Sequence, residues 1–350
     1  MAPSSERTDL KGLTLHELEA LFRDLGEPRY RADQVAAWVF QRGVTSLREM
    51  TDLPQSLRER LAHLARVGTA TVVASERSAI DGTEKLLIEY EDGERIEAVI
   101  LRDEERLTGC VSTQVGCRYG CTFCATGSMG LVRDLTAGEI VEEIMTLGRH
   151  AAPERIGNLV FMGMGEPFDN YDATIHAVRI ANAPWGLGIG ARRITISTAG
   201  HAPGIRRLAD EDLQLNLAVS LNAASQEIRS QIMPIAREFP LDELRSALRH
   251  YAHTTGRMFT VEYVLLRDVN DSRESAMQLA DFASDLACKV NLICYNEISS
   301  AAYAPPADGT VRRFFAHLRA SCPTVVRRIS RGSDISAGCG QLRVSRDRTG

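Results

Sequence analysis

The chain has 350 residues, a formal net charge of −5, eight cysteines and low aromatic content. Such a length holds one large domain plus a smaller one, or one barrel with an extension. The cysteines are too few for a disulfide scaffold and fit a reducing cytoplasm with metal or redox chemistry. No apolar run reaches a membrane span and Met1-Ala2-Pro3-Ser4-Ser5-Glu6-Arg7 carries no apolar signal segment, so the expectation is a cytoplasmic chain with no membrane.

Residues 1–68 read as a small helical domain. Leu15, Leu18, Leu21 and Phe22 give a helical stripe that Gly26-Glu27-Pro28 breaks. A second helix over Arg31–Gln41 puts Val35, Trp38 and Val39 on one face, and a third from about Pro54 to Leu64 repeats Leu57, Leu61 and Leu64. Trp38 and Phe40 read as core of this bundle, while Arg23, Arg29, Arg31 and Arg42 either line a phosphate-facing side or are simply exposed.

From 69 to 105 the apolar period changes to two. Thr71–Ala74, Lys85–Tyr90 and Arg95–Ile100 are strand-like, with Asp81-Gly82 and Asp92-Gly93 as turns, and the last of them carries Glu97. This is a β-extension leading into a main domain over 106–350. There, strands at Cys110–Gln114, Asn158–Met162, Arg193–Ser197, Gln214–Leu221, Phe259–Leu266 and Lys289–Tyr295 alternate with helices near 136–149, 172–183, 202–209, 240–254 and 272–287. Thr136 with Glu139 makes a capping box for the first of these helices. Six β–α steps predict an α/β fold with a parallel sheet, too short for the closed eight-stranded barrel, hence an open, partial (β/α)6 barrel. At the C-terminal end, nine arginines between Arg312 and Gly350 stand against only Asp334 and Asp347. That excess either attracts a phosphate backbone or is a solvated tail.

The most specific signal follows the first barrel strand. Cys117, Cys121 and Cys124 have C-x3-C-x2-C spacing in a polar, Gly-rich loop, with no His inside it and the next cysteine only at Cys288. Three thiolates on one loop can hold three irons of a [4Fe–4S] cluster and leave the fourth iron to a ligand that is not protein. A structural zinc site wants a fourth protein ligand, which is missing here. The spacing resembles the radical S-adenosylmethionine (SAM) superfamily, in which SAM takes that fourth position and is cleaved to a 5′-deoxyadenosyl radical.

Ligands of parallel α/β sheets gather at the carboxyl ends of the strands. The remaining motifs fall there: Gly163-Met164-Gly165-Glu166-Pro167, Ile196-Ser197-Thr198-Ala199-Gly200, Val219-Ser220-Leu221-Asn222 and Cys294-Tyr295-Asn296. The two glycines of the first let backbone approach a ligand closely, and Glu166 can accept from an ammonium group. Cys110, seven residues before the cluster motif, and Cys339, between Gly338 and Gly340, are free thiols in need of a role; the glycines around Cys339 predict an accessible loop rather than a core position.

The run from Cys110 to Cys124, the Gly163–Pro167 motif, Arg331-Gly332-Ser333-Asp334-Ile335-Ser336-Ala337-Gly338-Cys339-Gly340-Gln341-Leu342 and the N-terminal stretch Gly26–Gly43 together resemble the RlmN/Cfr family of radical SAM RNA methyltransferases, and within it the adenine-C2 branch, over roughly residues 12–343. The resemblance implies methylation of C2 of adenosine 2503 in 23S rRNA and of adenosine 37 in tRNAs. It implies that Cys339 takes a methyl from one SAM, that a second SAM is cleaved at the cluster of Cys117, Cys121 and Cys124, and that Cys110 attacks the Cys339 sulfur to free the product through a transient disulfide. Glu97 matches the position of the proton acceptor; from the residues alone it is an exposed strand carboxylate. SAM contacts carry over to Gly165, Glu166, Ser197, Ser220, Leu221, Asn222 and Asn296. A flavodoxin-like electron donor is also implied; a monomer is expected independently of the resemblance. The family usually has His where this chain has Asn222, Pro where it has Tyr295, and D-D-I-D-A-A-C where it has Ser333–Cys339. Other readings of the same scaffold are C8 methylation, a glycyl-radical activase that leaves Cys110 and Cys339 idle, and an RNA-binding protein with a structural metal.

Overall fold

The computed structural model describes residues 7–103, 106–298, 301–321 and 324–344; Arg346, Asp347 and Arg348 of the basic tail lie outside them. The N-terminal module starts with the short strand β1 (Thr8–Asp9), then α1 (Leu15–Asp24), α2 (Tyr30–Ala36), a π-helical turn over Ala37–Gln41, and α3 (Gln55–Leu64), after which β2 (Ala65–Arg66) pairs parallel with β1. Thr14 opens α1 with a capping box to Glu17. Leu18, Phe22, Val35, Val39, Leu57 and Leu61 are buried on the predicted stripes. Phe40 is core as expected, edge-on to Trp185 at 5.6 Å. Trp38 is only half-buried: its Nε1–H donates to Asp52 at 2.5 Å and the Arg42 guanidinium lies 3.9 Å over its ring. An indole N–H needs a partner, and the rim supplies one.

β3 (Thr71–Arg77), β4 (Glu84–Glu89) and β5 (Arg95–Asp103) form an antiparallel meander, and β5 pairs antiparallel with β6 (Arg106–Cys110), the first barrel strand. The extension is therefore a wing of the barrel's own sheet. The small hairpin β7 (Gln114–Gly116) and β8 (Leu131–Asp134) follows, then α4 (Ala137–Ala151), β9 (Ile156–Phe161), α5 (Tyr171–Asn182), β10 (Ile194–Thr198), α6 (Ala202–Ala209) and β11 (Asn216–Ser220). The chain continues through α7 (Gln226–Ile232), α8 (Ile235–Glu238), α9 (Leu241–Thr255), β12 (Phe259–Leu265), α10 (Arg273–Ala283), β13 (Cys288–Cys294), α11 (Asp308–Ser321) and β14 (Val325–Arg328). One ten-stranded sheet results, ordered β14-β13-β12-β11-β10-β9-β6-β5-β4-β3, and it is parallel from β6 to β14.

Three details differ from the sequence expectation. The strand read as Cys110–Gln114 is broken: the Val111 amide still donates to Val160 O, but the Thr113 amide turns to Met164 O, beyond the end of β9. The pair α7 and α8 interrupts the step after β11. The pair α11 and β14 adds a seventh parallel strand beside the six expected.

Residues past β14 turn back as a strap across the barrel mouth. The Gly332 amide donates to Asp81 at 2.9 Å, Arg331 pairs with Asp103 at 2.5 Å, and the Ala125 amide donates to Gly340 O at 2.7 Å. β14 and β3 are opposite edges of an open sheet, so the strap connects the edge strand β14 to the antiparallel wing. The N-terminal module is fastened by a fully buried pair, Lys11 Nζ with Glu142 of α4, and Lys11 also donates to Gly68 O at 2.6 Å.

Candidate active site

Alternation along the parallel strands decides what faces the barrel interior. Thr108 and Cys110 on β6, Asn158 and Val160 on β9 with Met162 just past it, Thr195 and Ser197 on β10, and Asn216 and Ser220 on β11 all reach the lumen. Glu262 and Val264 on β12, Ile293 on β13 and Arg328 on β14 complete it. The lumen comprises two adjoining cavities. The one at the carboxyl ends of the strands measures about 160 Å³ and is bordered by Cys117, Cys121 and Cys124; the other measures about 600 Å³ and is bordered by Cys110 with Arg192, Arg193, Arg327, Arg328 and Arg331.

The cysteine loop is clamped at both ends. β7 and β8 pair across its base, and the Cys117 amide donates to Gly130 O at 3.1 Å. Gly116 sits at φ +80, and a Cβ there would come within 1.9 Å of Gly130 O, so no other residue fits. The Thr122 amide docks on Ile232 O at 3.0 Å, at the end of α7. Burial pushes the Cys117 thiol up to about 12 and raises Cys121 and Cys124 as well, each of the first two further opposed by a neighbouring thiol. Bare thiolates are thus disfavoured here, and a positively charged iron group is what reverses that balance. Among the described residues no three His, Cys, Asp or Glu side chains gather around a single ion position. Three thiolates that each take a different iron of one cluster suit this donor set.

The glycines of the segment after β9 have a packing reason beside the close ligand approach expected of them. A Cβ on Gly163 would meet Val111 O at 2.6 Å and one on Gly165 would meet Gln114 Cβ at 2.7 Å. They let this turn press against the Val111–Gln114 segment, and both glycines line the cavity as well. Glu166 is buried, its Oε2 accepting from the Ala199 amide at 2.6 Å and its Oε1 from the Phe168 amide at 3.1 Å. Burial raises its carboxyl to about 7 against those donors. Ser197, Ser220 and Asn222 line the same cavity. Leu221 and Asn296 do not: Leu221 is core and gives its carbonyl to Arg229, while Asn296 Nδ2 reaches Cys339 O at 3.4 Å.

Asn222 is held at φ +56, with Oδ1 accepting from the Val264 amide at 2.9 Å and its carbonyl taken by Asn270. Asn and His are among the residues that tolerate left-handed backbone, and both offer an acceptor two bonds beyond Cβ. That accounts for Asn where the resembling family has His. Tyr295 is buried in the cavity wall, its ring 6.2 Å from that of Tyr303, whose hydroxyl lies 2.8 Å from Thr122 Oγ1 in the cysteine loop.

Cys339 stands in the wall that the two cavities share, with Met162, Ile293, Arg328 and Leu342. It is exposed to the cleft while ringed by protein, as its flanking glycines led us to expect. Burial raises its thiol, the Arg328 guanidinium draws it back down, and Glu262 opposes Arg328. Cys110 is buried, and burial, then the Cys339 and Glu143 charges, push its thiol far up. Both sulfurs are free, with no disulfide between them. Glu97 is not the exposed carboxylate that the strand pattern gave. It is buried, paired with Lys85 at 3.3 Å, and its Oε2 accepts from the Arg343 amide at 2.7 Å. Burial raises its carboxyl; Lys85 and that amide lower it. It borders neither cavity and lies one strap residue from Leu342, which borders both.

Three residues were missed. Glu262 and Arg328 were legible as charges on the inward phase of strands, the second at the end of Val325-Val326-Arg327-Arg328. Arg229 carried no signal in the sequence: it sits on a short helix that no apolar period marked.

The family model for the ribosomal RNA large subunit methyltransferase N-terminal domain matches residues 8–67, and that of the radical SAM superfamily matches residues 111–280. A probable dual-specificity RNA methyltransferase RlmN 3 of Opitutus terrae is 46% identical, covering 97% of this chain and 95% of its own length. The dual-specificity RNA methyltransferase RlmN of Geobacter sulfurreducens is 44% identical over 96% of this chain and 92% of its own. The crystal structure of a radical SAM methyltransferase from Sphaerobacter thermophilus superposes with a TM-score of 0.91 at 46% identity, over 96% of this chain and 99% of that one. With a matching N-terminal module, a matching barrel and full-length relatives on both sides, the chain belongs to the RlmN family of radical SAM RNA methyltransferases.

Proposed function

We propose that the protein methylates C2 of adenosine, at position 2503 of 23S rRNA and position 37 of tRNAs, with Cys339 as the methyl carrier. Adenine C2 is flanked by two ring nitrogens and too electron-poor to attack a methyl electrophile, so the carbon must arrive as a radical. The observation that carries the reading is the place of Cys339 in the wall between the cluster-side cavity and the arginine-lined cavity that holds Cys110. One sulfur there can collect a methyl from the first side and deliver it to a base on the second.

Cys117, Cys121 and Cys124 would hold the [4Fe–4S] cluster, which when loaded supplies the electron that cleaves SAM to the 5′-deoxyadenosyl radical. Glu166, Ser197, Ser220 and Asn222 line the space for SAM around Gly165, with Leu221 and Asn296 behind them. Arg328 favours the Cys339 thiolate that takes the methyl of one SAM as S-adenosylhomocysteine leaves; a second SAM is consumed in turning that S-methyl group into the reactive carbon. Glu97 takes the C2 proton once the strap loosens its Arg343 contact. The adduct gives up its unpaired electron, Cys110 attacks the Cys339 sulfur and breaks its bond to the new carbon, that carbon takes a proton to become the methyl group, and the Cys110–Cys339 disulfide so formed is reopened by an external thiol reductant. The arginines of the second cavity suit RNA phosphates, an electron donor such as a flavodoxin restores the cluster, and the chain acts as a cytoplasmic monomer.

The test is mass mapping of adenine in RNA treated with three proteins. Wild type yields 2-methyladenine, Cys339→Ala yields none, and Cys110→Ala leaves a covalent protein–RNA adduct. Normal methylation by Cys339→Ala overturns the scheme, and 8-methyladenine from wild type reassigns the carbon.

A further inference from the structure

Arg229, in the middle of α7, is fully buried, with 0% of its surface exposed. No carboxylate among the described residues pairs with it. Its Nε donates to Leu221 O at 3.1 Å and its Nη2 to Ala199 O at 2.6 Å, the carbonyls just past β11 and β10. Its Nη1 is buried without any partner. Gly200 is shaped around it: a Cβ there would stand 2.6 Å from Nη2. One turn further, Ile232 O receives the amide of Thr122, the residue after Cys121, so α7 carries both the guanidinium and the docking point of the cysteine loop. The charge nearest in effect is that of the Cys121 sulfur.

Two carbonyls do not explain a buried cation. Taking a guanidinium out of water costs several kcal/mol unless an anion meets it, and neutral side chains can staple carbonyls at far less cost. The anion that belongs beside Cys121 is the cluster with its three thiolates, which carries one net negative charge when oxidised and two when reduced. A fixed buried cation favours the more negative state.

We infer that Arg229 is the counter-charge of the cluster, a positioning residue that raises its reduction potential and thereby eases reduction of the cluster by its electron donor, the step that must precede radical formation. This rests on the assignment of Cys117, Cys121 and Cys124 as the iron ligands. The alternative anion is the carboxylate of SAM, and the two make different demands on the same variants.

The experiment compares anaerobically reconstituted wild type, Arg229→Gln and Arg229→Lys by iron content, by potentiometric titration of the cluster's EPR signal without SAM, and by SAM affinity. Lysine keeps the charge; glutamine keeps polarity without it. The inference expects Arg229→Gln to need a poise lower by at least about 59 mV for half-reduction, a tenfold change in the ratio of oxidised to reduced cluster for a one-electron couple. Arg229→Lys stays near wild type, and SAM affinity is little changed. Loss of iron in Arg229→Gln alone, with its melting temperature retained, equally supports a counter-charge. Equal potentials in wild type and Arg229→Gln overturn the inference, as does an equal shift in both variants or unfolding of both. Unchanged potential with selective loss of SAM affinity assigns the charge to SAM instead. A wild type that binds no [4Fe–4S] cluster refutes the ligand assignment itself, separately from the role of Arg229.

Discussion

The Arg343 amide donates to Glu97 Oε2 across 2.7 Å, so the strap that carries Cys339 is fastened to the carboxylate proposed as proton acceptor. Anchor and base are separable by substitution. Glutamine at this position still accepts from the amide but cannot take a proton. Glu97→Gln is expected to lower 2-methyladenine formation by about 10²–10⁴-fold, the usual worth of a general base, while Cys339 still gains its methyl. Quantitative mass spectrometry of RNA and of the Cys339 peptide reads both. Full RNA methylation would leave Glu97 as an anchor only.

Cys339 must be a thiolate to take a methyl, and its thiol is raised by burial and lowered by Arg328. Methyl loading should therefore quicken as pH rises through 8 and 9. Arg328→Gln removes the lowering charge, so its loading at pH 8 falls and its profile moves to higher pH. A coincident profile in the two proteins would show that Arg328 does not set the thiolate fraction.

Glu166, raised to about 7 by burial, is half-protonated near neutrality in the unliganded site. The SAM ammonium favours its ionised form. Binding below pH 7 must expel a proton, so affinity for SAM rises with pH on the acid side of 7, by up to about tenfold per unit, and flattens above 7. The raised value also makes this group's contribution to stability greatest below its unfolded value of 4.5 and progressively lost as pH rises through 7. Calorimetry on Glu166→Gln should give weaker binding that no longer depends on pH in this range.

Asn222→Ala removes the acceptor for a partly buried amide of Val264 and places alanine at φ +56. A loss of about 1–3 kcal/mol is expected from the orphaned amide alone. Asn222→His restores both the acceptor and the backbone tolerance, and its denaturation midpoint should return close to wild type. Equal loss in both variants would reject the equivalence drawn between the two residues.

Lys11 is fully buried against Glu142, whose carboxylate also accepts from Arg149 at 2.7 Å. Lys11→Met leaves that carboxylate short of charge and should cost about 3–5 kcal/mol in urea unfolding, while Lys11→Met with Glu142→Leu recovers most of it. No recovery in the double variant would mean that Lys11 acts through Gly68 O instead.

Much of this architecture could be read one segment at a time. The two partners of each capping box in α1 and α4 are three residues apart, the helical stripes repeat within four, and the strand alternation within two, so neighbouring residues alone fix them. The cysteine triad is equally local, since one loop of Cys117–Cys124 supplies all three thiols. β14 and α7 escaped because each is short and its partners lie outside its own element: Arg328 acquires meaning beside Cys339 and Glu262, and Arg229 beside Ala199 O and Leu221 O.

The sequence by itself determined the order of the longer strands and helices, the cluster-type spacing and the presence of thiols beyond the triad, because those depend on contacts a few residues long. Only the tertiary structure decided that Cys339 faces both cavities, that Glu97 is buried under the strap, and that a lone guanidinium lies behind Cys121. Those facts join positions up to 246 residues apart, and burial and electric field at such a junction are properties of the packed whole.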